Sequence, residues 1–411
     1  MSCRLCGRTV RHSFVDLGMS PLCQTHITAA QLNQMEPFYP LHARVCEHCF
    51  LVQLGQFVGA ADIFSEYAYF ASYSDSWVEH ARRYVGEVSE RFGLGPGSRV
   101  LEIASNDGYL LQHFLARGVT VLGVEPAANV AAAAVARGVP SLVKFFGRAL
   151  AEELARDFGR PDLIIGNNVL AHVPDLNDFV AGMQRLLGPD GVITMEFPHL
   201  LELMRHNQFD TIYHEHFSYF SFTTACEVFR RHELVLFDVE QLPTHGGSLR
   251  IYARHAAAAG PPVSERAREL LVRERQFGLG DLVTYAAFAG QVRETKRALL
   301  EFLIGAKRAG KRIVGYGAPG KGNTLLNYCG IGVDFLDFTV DRNPYKQGKY
   351  TPGMHIPIRH PDELIAADPD YVLILPWNLK DEVLATVGAD RRLRAQFVVP
   401  IPRVQVLGAR P

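Results

Sequence analysis

The sequence predicts a three-part α/β protein: a cysteine-organised N-terminal module, a central parallel sheet, and a second, smaller sheet of the same kind towards the C terminus. Three observations carry this reading. Two Cys-x-x-Cys pairs, Cys3/Cys6 and Cys46/Cys49, fall within the first 50 residues of a chain that has only seven cysteines. Apolar strand-like runs alternate with helical segments between residues 99 and 198, and the alternation restarts between 311 and 378.

The module comes first. Two thiolates separated by two residues fold back onto one ion, and two such turns supply the four soft ligands of a tetrahedral Zn²⁺. Four protein ligands leave no open position, so the expected metal is structural. His12, His26, His42 and His48 are near enough in sequence to substitute or add a ligand. Disulfides are the weaker alternative, because the cysteine count is odd and the chain lacks the density of a small secreted scaffold. Cys23, Cys226 and Cys329 read as small hydrophobes. The module is expected over 1–60, followed by an aromatic connector over 61–75 that includes Tyr67, Tyr69 and Tyr73.

The central domain is expected over 76–255. A helix from Trp77 to Phe92 ends at the turn 93–97, GLGPG. Arg99–Ile103 is a strand, the polar turn Ser105–Gly108 follows, and the next helix closes at Gly118. TVLGVEP (120–126) is a second strand ending near Glu125, followed by an alanine-rich helix over 127–137. Runs at 161–173 and 191–198 complete the sheet. Ligands of such sheets collect beyond the carboxyl ends of the strands, which gathers the 102–108 turn, Glu125 and the 167–172 segment around one pocket. The C-terminal domain, 256–411, opens with a long helix over about 280–308 and continues with strands at 311–317, 333–341 and 370–378.

Size and charge narrow the function classes. A chain of 411 residues implies two or three cores. With 42 basic and 43 acidic residues and no basic stripe, a small molecule is the expected partner and nucleic acid is not. No apolar run reaches the roughly 18 residues that span a bilayer, so no membrane association is expected, and free thiols fit a reducing cytoplasm. Nothing in the sequence demands a dimer, so a monomer is expected.

At the first strand end, Glu102-Ile-Ala-Ser-Asn-Asp-Gly108 sets an acid before a glycine-bearing turn, and Glu125 closes the next strand. A carboxylate there accepts both hydrogens of a ribose diol. A dinucleotide fingerprint would carry glycine where Ala104 and Asn106 stand, which disfavours a pyrophosphate and favours S-adenosylmethionine over NAD. The segment resembles the class I S-adenosylmethionine-dependent methyltransferases, whose core is Rossmann-like. That resemblance implies that Glu102, Ala104, Asn106, Asp107 and Gly108 wrap the methionine part, Glu125 holds the ribose, and Asn167 and Asn168 line the cofactor.

Phe209-Asp-Thr-Ile-Tyr213-His214-Glu215-His216-Phe217 packs four titratable groups into consecutive positions. On a strand, Tyr213 and Glu215 would face away from the two histidines; in a loop all four converge. A second metal site and a purely structural cluster both remain open at this level. A histidine suits proton abstraction near neutral pH, and a tyrosine hydroxyl suits a developing enolate. Taken with the cysteine pairs, EIASNDG and GYGAPGKGNTLLN, this HEHFSYFS segment makes essentially the whole chain resemble the sugar C-methyltransferases that include tetronitrose C3-methyltransferases. The resemblance implies a thymidine-diphosphate-linked 4-keto-deoxyhexose substrate, as in deoxysugar antibiotic pathways. It implies His216 as the base at C3, Tyr213 beside the substrate, Glu215 as supporting carboxylate, and Tyr67 and His172 as further active-site groups. His216 and Tyr213 remain interchangeable in proton transfer, and methylation at C5 is the alternative within the family.

Two further segments stand out. In Thr244-His-Gly-Gly-Ser-Leu-Arg250, Arg250 either meets phosphate or covers surface. Gly315-x-Gly317-x-x-Gly320, with Asp341 beyond it, nearly reproduces a dinucleotide fingerprint, so an NAD-dependent oxidoreductase is the rival enzyme. A zinc-organised scaffold without turnover is the non-enzymatic rival. The resemblance implies instead that the loop, with Lys321, Asn323, Arg342 and Lys346, helps hold the sugar nucleotide.

Overall fold

The computed structural model describes residues 1–59, 63, 70–390 and 392–408. Tyr67 and most of the aromatic connector therefore lie outside the described residues. The chain forms two compact units, each built from three separated segments. The first comprises Met1–Val10, Cys46–His199 and Phe217–Gly280; the second comprises Arg11–Val45, Leu200–His216 and Asp281–Pro411.

The first unit is built on a seven-stranded sheet. Its strands are β1 (Arg99–Ile103), β2 (Thr120–Val124), β3 (Ser141–Leu142), β4 (Leu163–Asn167), β5 (Val192–Pro198), β6 (Leu234–Leu242) and β7 (Ser248–His255). Their order is β6-β7-β5-β4-β1-β2-β3. The first five are parallel, and β7 and β6 extend them antiparallel. From β1 the chain winds outward through β2 and β3, then returns to lay β4 and β5 on the other side. The turn after β1 therefore sits at the topological switch point, where such sheets open a crevice for ligand.

Apolar side chains bury both faces of this sheet, with Leu101, Ile164, Ile193 and Phe197 in one cluster and Val100, Leu163 and Ile165 in the other. Helix α1 (Asp75–Phe92) covers the second face through Ala81, Tyr84, Val85 and Val88. Ser74 caps its start by accepting the Trp77 N–H at 3.4 Å, and Gly93, at φ 65°, ends it in the left-handed conformation that favours glycine.

The second unit carries a six-stranded sheet: β8 (Ile313–Tyr316), β9 (Thr339–Val340), β10 (Ile358–Arg359), β11 (Tyr371–Ile374), β12 (Gln396–Val399) and β13 (Gln405–Leu407). The order is β10-β9-β8-β11-β12-β13, parallel except for β13. Here too the loop after the first strand lies at a switch point, and it is the second glycine-rich turn. The segment expected as a strand over 333–341 is strand only at Thr339–Val340.

Helix α2 (Leu282–Arg308) buries Tyr285, Phe288, Val292, Leu299 and Leu303. An antiparallel pair, His12–Ser20 with Tyr39–Val45, packs against it, and Phe14 stacks on Phe288 with ring centroids 4.6 Å apart. Among the described residues no helix is long and apolar enough to cross a membrane.

Candidate active site

The metal module belongs to the first unit. Cys3 and Cys46 each begin a tight turn in which the residue four positions on donates its N–H to the cysteine carbonyl: Gly7 to Cys3 and Phe50 to Cys46, both at 2.9 Å. Both turns end in left-handed backbone, Gly7 at φ 72° and Phe50 at φ 55°. The four sulfurs lie within 4.8 Å of one another, with Cys3 to Cys49 at 3.5 Å and Cys6 to Cys46 at 3.6 Å. Zinc–sulfur bonds of about 2.3 Å in a tetrahedron separate sulfurs by about 3.8 Å, so the donor set fits Zn²⁺. The Gln53 side-chain amide donates to Cys3 Sγ at 3.3 Å, a neighbour that stabilises a thiolate.

The switch-point turn of the same unit has unusual backbone. Ala104 (φ 56°) and Asn106 (φ 50°) are both left-handed, the conformation glycine takes most readily, at the two positions where a dinucleotide fingerprint would put glycine. Gly108 is also left-handed, and a Cβ on it would come within 2.8 Å of Val139. Asn106 and Asp107, expected as polar contacts to the cofactor, are engaged by the protein. Asn106 Oδ1 accepts the Ala71 N–H at 2.8 Å, and Asp107 is paired with Arg137 at 2.7 Å. The Glu125 carboxylate accepts the N–H groups of Asn106 at 3.0 Å and Ala127 at 2.9 Å, which fixes it at the end of β2.

Several buried atoms here have no hydrogen-bond partner among the described residues: Glu102 Oε2, Ser105 Oγ and Asn167 Oδ1. They sit at the carboxyl ends of β1 and β4, the two strands that flank the switch point. Burial, then the charges of Glu125, Asp107 and Glu196, pushes Glu102 well above the usual carboxylate range. Buried groups of this kind are ordinarily satisfied, and the orphans fit a polyfunctional ligand such as S-adenosylmethionine. Asn168 (φ 55°) donates its N–H to the Glu196 carbonyl at 2.7 Å, and His172 ends the short turn Leu170–His172 beyond β4.

A network absent from the sequence reading lies beside these strand ends. Glu196, 1% exposed on β5, accepts from Arg250 at 2.6 Å and from His80 of α1 at 3.0 Å. Burial would push this carboxyl up, yet the hydrogen bond from His80 and the charge of Arg250 hold it below the ordinary value. Arg250 also reaches Glu240 at 3.0 Å and lies over the Tyr84 ring at 4.4 Å. At 2% exposure it neither meets phosphate nor covers surface, the two roles expected of it; it neutralises internal carboxylates. A glutamate inside the apolar run VITMEFP was the available signal.

The acid–base cluster belongs to the second unit, and it forms a turn rather than a strand. A short 3-10 turn, Phe209–Thr211, leads into it, and the His216 N–H donates to the Tyr213 carbonyl at 2.9 Å. His216 Nδ1–H donates to the Thr211 carbonyl at 2.9 Å, because a carbonyl oxygen only accepts, and in the neutral ring this places the lone pair on Nε2. The Tyr213 and His216 rings are 4.0 Å apart. His214 turns elsewhere: its Nε2–H donates to the Pro40 carbonyl at 3.3 Å, its ring meets Tyr39 edge-on, and burial lowers its pKa. Glu215, 3% exposed, accepts from Cys23 Sγ at 3.6 Å. The structure thus brings Tyr213, Glu215 and His216 into one turn.

The second glycine-rich turn is filled by the chain itself. A Cβ on Gly320 would stand 2.9 Å from Cys23 Sγ, one on Gly317 would meet Pro376 at 2.6 Å, and one on Gly322 would meet Leu375 at 2.8 Å. Asn323 of helix α3 (Gly320–Cys329) donates to the Cys23 carbonyl at 2.6 Å. Asp341 accepts the Ala318 N–H at 2.7 Å. In such a fingerprint the second glycine lets the backbone approach a pyrophosphate and the third packs helix on strand; here Gly317 abuts Pro376, just beyond β11, and Gly320 abuts Cys23 and Gln24.

A Rossmann-like sheet with acids at its switch-point strand ends, joined to a tetra-cysteine module, is the architecture of a metal-bearing class I methyltransferase. Family models match in three parts: a putative zinc binding domain over residues 3–64, a methyltransferase domain over 77–238, and a C-methyltransferase C-terminal domain over 243–402. The chain is 37% identical to C-methyltransferase NovU of Streptomyces niveus over 407 residues, 99% of this chain and 97% of that protein. A partial match, 29% identical, spans 25% of this chain and 42% of a ubiquinone biosynthesis O-methyltransferase of Bartonella bacilliformis. Among solved structures, an S-adenosylmethionine-dependent methyltransferase from Mesorhizobium loti matches 43% of this chain and 100% of its own, at 13% identity and a TM-score of 0.34. The chain belongs to the S-adenosylmethionine-dependent C-methyltransferase family.

Proposed function

We propose that this enzyme methylates carbon C3 of a thymidine-diphosphate-linked 4-keto-deoxyhexose. The single observation that supports it most is the 2.9 Å contact of His216 Nδ1 with the Thr211 carbonyl: with the hydrogen on Nδ1, the neutral ring carries its lone pair on Nε2, the state a proton-abstracting residue needs. The carbon beside a C4 ketone is acidic because the charge left behind delocalises onto oxygen. His216 removes that proton, the Tyr213 hydroxyl stabilises the enolate oxygen, and Glu215 holds the substrate or the base in register. His172 and Tyr67 complete the assignment as further groups around the sugar, Tyr67 from sequence alone.

Glu102, Ala104, Asn106, Asp107, Gly108, Asn167 and Asn168 are assigned to the donor pocket, with Glu125 at the ribose. Bound there, S-adenosylmethionine supplies an electrophilic methyl group. The proposed domain roles follow: 1–60 organises the metal, 61–75 connects, 76–255 binds donor, and 256–411 recognises the sugar nucleotide. The packing of Cys23 against Gly320 crowds this turn for any pyrophosphate, so it stands against NAD there and equally against the turn itself holding the sugar nucleotide's diphosphate, which other residues of 256–411 would then recognise.

The test is incubation with methyl-labelled donor and a panel of 4-keto sugar nucleotides, with the product read by mass and NMR. A new methyl on C3 is expected. Methyl on C5 selects the alternative regiochemistry, whereas methyl on oxygen or nitrogen, or donor-independent reduction of the ketone, contradicts the proposal.

A further inference from the structure

The Thr211 carbonyl that receives His216 is itself bracketed by two anchored residues. On one side is Asp210, 0% exposed, whose Oδ2 accepts the Trp377 indole N–H at 2.6 Å. On the other is Ile212, whose carbonyl accepts the Thr324 hydroxyl of α3 at 3.3 Å. Trp377 opens the short turn Trp377–Leu379 just beyond β11, so both anchors come from the carboxyl-end side of the second unit's sheet. Lys321, in the first turn of α3, lies 5.3 Å from the centroid of the Trp377 ring.

Asp210 is an expensive residue to bury. Its Oδ1 has no hydrogen-bond partner among the described residues, and a desolvated carboxyl destabilises the fold unless something compensates. An apolar residue would fill the volume at lower cost. What the carboxyl adds is an acceptor for an indole N–H, a directional bond that fixes the turn one residue before Thr211. Trp377 is largely buried and supplies a rigid ring with only two rotatable bonds, so the bond locates the turn closely.

We propose that Asp210 is a positioning residue: clamped by Trp377, it holds Thr211 so that its carbonyl receives the Nδ1–H of His216 and keeps the basic lone pair on Nε2. The loop after β11 and helix α3, elements that resemble a cofactor cradle, serve here to set the geometry of a base. The catalytic part of this inference rests on the reading of His216 as the proton acceptor; the structural part does not.

The experiment uses the full chain with histidine ¹⁵N shifts as the tautomer readout, alongside kcat and KM for donor and sugar. In the wild-type protein His216 is expected as the Nδ1–H form. In Trp377→Phe and Asp210→Ala a substantial fraction converts to Nε2–H, and kcat falls about tenfold or more while KM for the donor stays within about twofold. Asp210→Asn, which keeps an acceptor for the indole, is expected to recover most of what Asp210→Ala loses. An Nε2–H tautomer in the wild type overturns the proposal, as does an unchanged His216 tautomer in both disruptive variants. Equal impairment of Asp210→Asn and Asp210→Ala also overturns it, because the carboxyl would then matter for something other than accepting the indole. A tautomer shift with undiminished turnover supports the clamp and removes His216 from the role of base.

Discussion

Two histidines two positions apart have opposite surroundings. His214 Nε2 meets the Pro40 carbonyl, while His216 meets the Thr211 carbonyl through Nδ1, so the two rings direct opposite nitrogens at the backbone. His216→Gln retains a side chain of similar polarity but not the basicity. Turnover is expected to fall by about 10²–10⁴-fold, with donor affinity by calorimetry unchanged. Retained turnover would move the base elsewhere. Asp210 gives a second residue-scale test. Burial, opposed by the charge of Lys321, lifts its carboxyl from the ordinary 3.8 to about 7. Across that window the folded chain keeps a proton that the unfolded chain releases, so this group's contribution to stability is lost as pH rises. In denaturant titrations the stability of Asp210→Asn relative to wild type is therefore expected to improve between pH 5 and pH 8. No change in that difference would mean that the buried carboxyl does not titrate there.

The residues legible in the sequence were those whose partners are close in the chain or whose chemistry is narrow: the cysteine pairs, and the Tyr213–His216 cluster. Asp210 stood in the same stretch unremarked, because its meaning depends on Trp377, 167 positions away. Cys23 read as a small hydrophobe. Its burial agrees, but its contacts with Glu215 and Gly320 join segments about 190 and 300 residues apart, which no local pattern records.

At the scale of elements, the parallel strands were readable because each is a short apolar run closed by turn residues, and β1, β2, β4 and β5 form where expected. The antiparallel extension, β6 and β7, carries no such local signal. Its register against β5 is set by distant pairing, as in Arg250 opposite Glu196. The two cysteine turns are the element whose removal is simplest to test. Cys46→Ser removes one of four thiolates, and the protein is expected to lose bound zinc by elemental analysis and to melt at lower temperature. Full zinc content and an unchanged melting temperature would contradict a four-sulfur structural site. The second glycine-rich turn shows how an element can mislead. Its strand, glycines and distal aspartate match a dinucleotide site in spacing, yet the space the glycines open is taken by the protein's own atoms.

At the scale of the molecule, each compact unit takes its segments from three parts of the chain, a property that linear domain boundaries cannot express. The first unit holds the four-cysteine module and the seven-stranded sheet; the second holds the Tyr213–His216 turn and the smaller sheet. The central claim is that a ketone acidifies its neighbouring carbon and His216 takes the proton. Its most direct measurement is hydrogen exchange at that carbon in D₂O, followed by NMR with a thymidine-diphosphate 4-keto-deoxyhexose and no productive methyl donor. Wild-type enzyme is expected to wash deuterium into C3, and His216→Gln is expected to leave it as protium. Binding of the sugar nucleotide without exchange by the wild type, or equal exchange by both proteins, would contradict the account.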